Sequence, residues 1–288
     1  MDDSKIGESI FNIINSLFSK LFSSIDNSIY GILDKITFIN KEILEGENFT
    51  KIIGDSYENG ILLICNSLVF GIILFFAINY MFSNFTLTKS QEPSKFIFKL
   101  IIFVILMNSS IWLCSEIINL ISIITKLVLE LGQILFNSEI SFSNFITLIN
   151  KEVYVSGNQF NVLSFEGVVK SFTSVGFMNL VFTYALRYIF IQVLIILAPF
   201  AILSLVLDKI EFFFRSWIKV FISLMLEQVL IAIILVLAFS IDIVNNPNLK
   251  QLMYIGIIFS IIRANNYMMQ LVGGVSTTIS TNIKSLAK

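Results

Sequence analysis

Apolar positions along this chain follow two patterns. Over the first forty residues Ile6, Ile10, Ile13, Leu17, Leu21, Ile25, Ile29, Ile32 and Ile36 recur at steps of three and four. Asn12, Asn15, Ser16, Ser19, Ser23 and Asp26 fill the other side. Such spacing makes one face of an amphipathic helix, with a break expected near Gly31. The polar face is poor in Lys and Arg, which fits packing on protein, or an outer leaflet, better than an anionic lipid surface.

After residue 56 the period gives way to long apolar runs. Tyr57 to Met81 carries no charge beyond Glu58, and its 25 residues exceed the ~20 that a bilayer requires. Phe96 to Leu135 would make a helix of about 60 Å, twice the hydrocarbon thickness. Its first half, 96–115, is therefore expected to cross, with the rest projecting or folding back. Further spans are expected at 180–207, 217–241 and 250–271. Residues 136–179, rich in Asn and Ser, read as an extracytoplasmic loop, with a small hairpin at Ser156, Gly157 and Asn158. The expected organisation is an amphipathic region (1–56), a transmembrane bundle (57–271) and a polar tail (272–288).

Basic residues set the expected orientation. Segments 82–95, 208–219 and 272–288 hold more Lys and Arg for their length than 136–179 and 240–251. The first group belongs in the cytoplasm by the positive-inside rule. Five spans then put the C-terminus inside and the acidic N-terminal region outside.

Composition sharpens this picture. The chain is 56% apolar and 14% charged, with a mean hydropathy of +0.86, whereas a soluble domain is ~25% charged. An all-α, polytopic membrane protein is the economical reading. The net charge of −1 offers no general field for nucleic acid, and no local patch suggests sequence-specific binding. The chain has no His, which removes Ser-His-Asp triads and His metal sites. Cys65 and Cys114 lie in apolar runs and are too few for a thiolate metal site. An intramembrane enzyme therefore ranks last among the possible functions, and no cofactor is implied.

Polar residues inside the runs are the candidates for function, because hydrocarbon penalises each unless it is paired or wet. Counted from Trp217, Glu227 lies about 15 Å deep. Asn108, counted from Phe96, lies at about 18 Å. A cluster of Asn108, Glu227 and Gln228 near the kink expected at Pro199 follows. Its rival is a neutral Glu227 that only holds helices together. Glu116 and Arg187 reach similar depth near the outer boundary, as a pair or snorkelling separately. Arg263 is either bundle-facing or snorkelling. The turn DKIEFFFRSWIK offers Lys209, Arg215, Trp217 and Lys219 as a cytoplasmic anchor or docking surface.

Three features together resemble a known family. They are the amphipathic region before the first span, the polar MNSSIWLCSEIINL inside the long second run, and ALRYIFIQVLIILAPFAILSLVLDKIEFFFRSWIKVFISLMLEQVLIAIIL. The arrangement over residues 57 to 271 resembles the TrbL-type polytopic inner-membrane subunit of conjugative type IV secretion systems, especially those of Gram-positive bacteria. The resemblance implies a non-enzymatic channel or scaffold subunit that moves DNA or protein. It also implies a homo-oligomeric ring in membrane lipid, working with other secretion subunits that include separate ATPases. The short last run with Arg263 departs from the pattern. A small-solute permease or ion channel is the competing reading, although no inverted repeat is visible between the halves.

Overall fold

The computed structural model describes residues 13, 16, 32–54, 59–86, 92–153, 165–241 and 246–272. Among these the protein is helical and contains no strand. A first helix, α1, is described over 32–37 and ends at a bend at Phe38. Ile39 and Asn40 are non-helical, and a 3-10 turn at Lys41–Leu44 leads to α2 (Glu47–Ile53). We call residues 37–46 the strap. The bundle comprises α3 (Ile61–Thr86), α4 (Pro93–Asn108), α5 (Ser110–Phe136), α6 (Phe142–Val153), α7 (Phe165–Ser204), α8 (Glu211–Ser240), α9 (Pro247–Ile262) and α10 (Ala264–Leu271).

Local chemistry explains most of these ends. Pro93 and Pro247 open α4 and α9, where a missing N–H costs nothing. Asn246 caps α9 by accepting from the Leu249 N–H at 3.3 Å. Asn137, left-handed with φ 49°, ends α5. Asp34 caps α6 from far away in sequence, accepting from the N–H groups of Phe142 and Ser143 at 2.9 and 3.4 Å.

Four helices are long and apolar enough to cross a bilayer: α3, α5, α7 and α8. The chain is a multi-pass, all-α membrane protein. α9 is apolar but has only 16 residues, about 24 Å, and the helix is interrupted at Arg263 before α10. The expected fifth span is thus two short helices, and Arg263 is exposed at the break.

Two further boundaries differ from expectation. The second apolar run is not one continuous helix over 96–115. It breaks at Ser109 into α4 and α5, and α5 is the longer apolar piece. Asn108 turns its amide back onto the Val104 carbonyl at 2.9 Å, the local competition for backbone groups that makes Asn and Ser end helices. The segment 136–179 is not a loop throughout, because it holds α6 and the first fifteen residues of α7. The expected hairpin at 156–158 lies outside the described residues, as do 1–31 apart from Ile13 and Ser16, and the tail beyond Val272.

Side chains bury into three clusters. One joins α6, the first half of α7, the end of α8 and α9. A central one joins the strap, α2, the start of α5, the middle of α7 and the first half of α8. The third joins α3, α4 and the end of α7. α5 can lie close against α8 because Gly132 has no Cβ, which would come 2.6 Å from Val236 Cγ2. α3 stands outermost: 11% of its apolar window is buried, against 50% in α7 and α8.

A buried polar core beneath the strap

α7 and α8 run antiparallel from the turn at 205–210. Trp217 fixes their register by donating its indole N–H to the Leu194 carbonyl at 2.8 Å. That carbonyl sits one residue before Ile195, whose usual donor is lost because Pro199 has no N–H. α7 nevertheless continues as helix through Pro199 to Ser204.

Two turns further along each helix stands the polar core. Arg187 donates from Nε and Nη2 to the Leu224 carbonyl at 3.2 and 2.6 Å. Its Nη1 donates to the Thr37 carbonyl of the strap at 2.9 Å. Glu227 Oε2 lies 3.2 Å from Arg187 Nε, and the two side chains are 1% and 3% exposed. The Nε hydrogen is directed at Leu224, so Glu227 balances the charge without an aligned hydrogen bond. Tyr184 lies under the guanidinium, 5.8 Å from ring centre to Cζ, and donates to the Ile261 carbonyl at 2.8 Å.

The neighbouring side chains serve the strap in the same way. Gln228 Oε1 accepts from the Ile39 N–H at 3.0 Å. Gln192 Nε2 reaches the Ile43 carbonyl at 3.5 Å. At the rim, Lys41 pairs with Glu116 of α5 at 3.0 Å. The physical reason is common to all. Non-helical backbone inside a bundle leaves N–H and C=O groups without helical partners, and lipid cannot satisfy them. Arg187, Gln192 and Gln228 supply those partners. Ile39 and Ile43 anchor the same segment, and Leu33 anchors α1 just before it, each at most 2% exposed.

The sequence-derived candidates distribute as follows. Gln228 and Glu227 are adjacent in the core, but Asn108 is elsewhere. Asn108 and Asn66 exchange amide hydrogen bonds at 3.1 and 3.2 Å, joining α4 to α3. Depth explains the difference. Lys99 pairs with Asp208 at 2.5 Å, which places both at one level. From there Asn108 is about 14 Å up its helix and Glu227 nearly 30 Å. The sequence count took Trp217 as the boundary, yet α8 begins at Glu211 and Trp217 is only 6% exposed. Pro199, nine residues before Asp208, shares the level of Asn108 rather than that of Glu227.

Glu116 and Arg187 do not pair with each other. Glu116 is 45% exposed and takes Lys41, whereas Arg187 faces α8 and the strap. In the turn, Lys209, Arg215 and Lys219 are exposed, and Arg215 pairs with Glu211 at 2.9 Å. Trp217 is not part of that surface. It stacks on Phe221 with ring centres 5.3 Å apart. Thr37, Lys41, Tyr184 and Gln192 complete the network and Asn66 partners Asn108, and sequence reasoning did not single them out. Asn66 and Gln192 carried a readable signal, since each is an amide inside an apolar run.

Some capacity for hydrogen bonding is left over. Thr37 Oγ1, Ser223 Oγ, Glu227 Oε2 and Gln228 Nε2 are buried and have no hydrogen-bond partner among the described residues. All four belong to residues of this core or adjoin it in sequence. No group of three Cys, Asp or Glu side chains among the described residues could hold a metal ion.

No protein-family model matches the chain, and no curated protein and no solved structure matches it either.

Proposed function

We propose that this protein is a non-enzymatic scaffold or channel subunit of a conjugative, type IV-like translocation machine in the cell membrane. The resemblance of residues 57 to 271 to TrbL-type subunits supplies the machine. One structural observation supports the role of a subunit: α3 is apolar on all sides and its own chain leaves it almost uncovered, while the centre of the bundle is closed. Phe221, Met225, Ile191 and Ile195 are fully buried beside the Arg187–Glu227 pair. A chain with a packed centre and open flanks is suited to work with neighbours, here further copies, other secretion subunits and separate ATPases. The N-terminal region outside and the C-terminus inside is the orientation we assign from the basic segments.

The test is purification in mild detergent from cells carrying the whole operon, followed by native mass spectrometry. Homo-oligomers that retain operon partners support the reading, as does a loss of transfer on gene deletion that a plasmid copy restores. A monomer that conducts a solute by itself overturns it.

The permease or ion-channel reading rests on a different observation, the hydrogen-bonding capacity left at Glu227. Charged groups buried inside a membrane bundle frequently mark ion paths. Under that reading Glu227→Gln abolishes flux across proteoliposomes. Under the subunit reading it leaves transfer intact wherever the protein still accumulates.

A further inference from the structure

Beside the turn at 205–210 the surface of the bundle is concave. A groove of about 490 Å³ lies between α3 and the end of α7 with the start of α8. Sites for small ligands usually measure ~300–1,000 Å³. Gly71 opens the groove on the α3 side, since a Cβ built there would meet no atom within 4 Å. Phe200 and Leu203 line it from α7, and Leu207, Ile210 and Phe213 line it at the turn. Ser204 is the single polar side chain in the lining, and its hydroxyl donates to the Ala201 carbonyl of its own helix at 2.6 Å. The interior therefore offers a polar ligand nothing.

Depth and charge say what occupies it. Asp208 and Lys209 are exposed charges, so the turn stands at the edge of the hydrocarbon. From Asp208 the groove reaches up α7 to Phe200, about 12 Å. Its α3 wall, Leu68 to Phe75, is about 10 Å long. One leaflet supplies ~15 Å of hydrocarbon, half of the ~30 Å that a crossing helix would have to fill. The groove thus fits one leaflet and not a second spanning helix. Left empty, its walls would forgo van der Waals partners, and water would find no hydrogen bonds there. A flexible acyl chain suits that shape. The rim adds a sign. Both acids of the turn are engaged, Asp208 by Lys99 and Glu211 by Arg215. Lys209, in the same turn as the lining residues Leu207 and Ile210, is exposed and pairs with no described acid. Segments 92–99 and 208–219 meet at this level through Lys99 and Asp208, and together they hold five Lys and Arg against three Asp and Glu. The surplus is positive and favours an anionic headgroup.

We propose that this groove is a binding site for one anionic phospholipid, with an acyl chain between α3 and α7 and the phosphate on Lys209. The lipid comes from the leaflet at which the turn stands. The ammonium group of Lys209 brings three donors and a full charge to the phosphate, and each strengthens the other. The chain fills the gap that the protein's own side chains leave beside Gly71. The site requires only that the protein lies in a bilayer, so it stands whether the molecule is a translocation subunit or a permease.

Native mass spectrometry of the full chain, delipidated in mild detergent, tests the site. The protein is titrated with phosphatidylglycerol or with phosphatidylcholine of the same acyl chains. Wild type should take its first phosphatidylglycerol about fivefold more tightly than phosphatidylcholine, the worth of one basic side chain beside an anionic lipid. Lys209→Gln should bring the two lipids to equal affinity while phosphatidylcholine binds as before. Gly71→Leu puts a side chain into open space and removes a glycine from a helix interior, so the fold should hold. Both lipids should then bind more weakly, on the order of tenfold, about the worth of two methylenes displaced from the groove. Equal affinities in the wild type, or a preference that survives Lys209→Gln, overturn the proposal. So does binding unchanged by Gly71→Leu in a chain with the wild-type unfolding midpoint. Loss of oligomers in Gly71→Leu with the lipid retained assigns the groove to a second copy instead. Should Gly71→Leu fail to fold, Lys209→Gln decides alone, because it alters an exposed turn.

Discussion

Arg187 directs three of its donor contacts to two carbonyl oxygens and leaves its charge to be balanced by Glu227. Removing one partner of such a pair strands a buried charge, and the usual cost is about 3–5 kcal/mol. Arg187→Met or Glu227→Leu alone is therefore expected to lower the unfolding midpoint in detergent sharply. The double substitution is expected to recover most of that loss, and a thermal melt of the four variants checks it. The pair at Asn66 and Asn108 is a milder case. Asn66→Leu should cost about 0.6 kcal/mol, the average for interhelical hydrogen bonds in membranes. Asp34 makes a pH prediction. Burial raises its carboxyl above the ordinary value of 3.8, Glu139 adds to this, and the hydrogen bonds from Phe142 and Ser143 pull it part of the way back. A raised value means the folded chain holds the proton more tightly. Its contribution is therefore full below the unfolded value and is lost as pH rises through the folded one. Unfolding midpoints of wild type and Asp34→Asn, compared from neutral to acid pH, should shift in favour of the wild type on acidification. At this scale the sequence exposed Arg187 and Glu227 as costly groups at depth, but not their partnership. Pairing depends on where helices begin, and Trp217 looked like a boundary marker while it packs inside.

For the elements, the decisive contacts are those that set one helix against another. Trp217→Phe keeps the ring and deletes the donor to Leu194, so it should cost about 1 kcal/mol, read from the same melts. Gly132→Ala places a methyl against Val236 and should cost roughly 1–3 kcal/mol through overpacking between α5 and α8. Long apolar runs announced α3 and α8, and most of α7. The first fifteen residues of α7 were not visible, because Lys170, Ser171, Thr173 and Ser174 lower the mean hydropathy although the helical period continues. The break at Ser109 was foreshadowed by Asn108, Ser109 and Ser110, three residues that prefer backbone partners to helix interiors. Hydropathy averaged over a window conceals both features, one by dilution and one by smoothing.

For the whole molecule, the strap ties α5, α7 and α8 together around the central cluster. It covers Arg187 and Gln228, inserts Ile39 and Ile43, and reaches α5 through Lys41. A chain shortened to begin at residue 47 loses those anchors and leaves two polar side chains unserved. It should elute as aggregate in size-exclusion chromatography under conditions where the full chain is monodisperse. In the sequence, residues 1–56 read as an amphipathic region fit to pack on protein or lie at an outer leaflet, and the partners it takes were not legible. The contacts are made to backbone, and backbone carries no letter that a pattern could reveal.

The strap also imposes an order in time. Its carbonyl at Thr37 and N–H at Ile39 are synthesised 150 and 189 residues before the side chains that hold them. At about 5–20 residues per second, the ribosome needs roughly 8–40 s to deliver those partners. During that interval the segment must wait without its seat. Helices made late therefore lock a piece made early, and a chain halted before Arg187 has nothing to receive it.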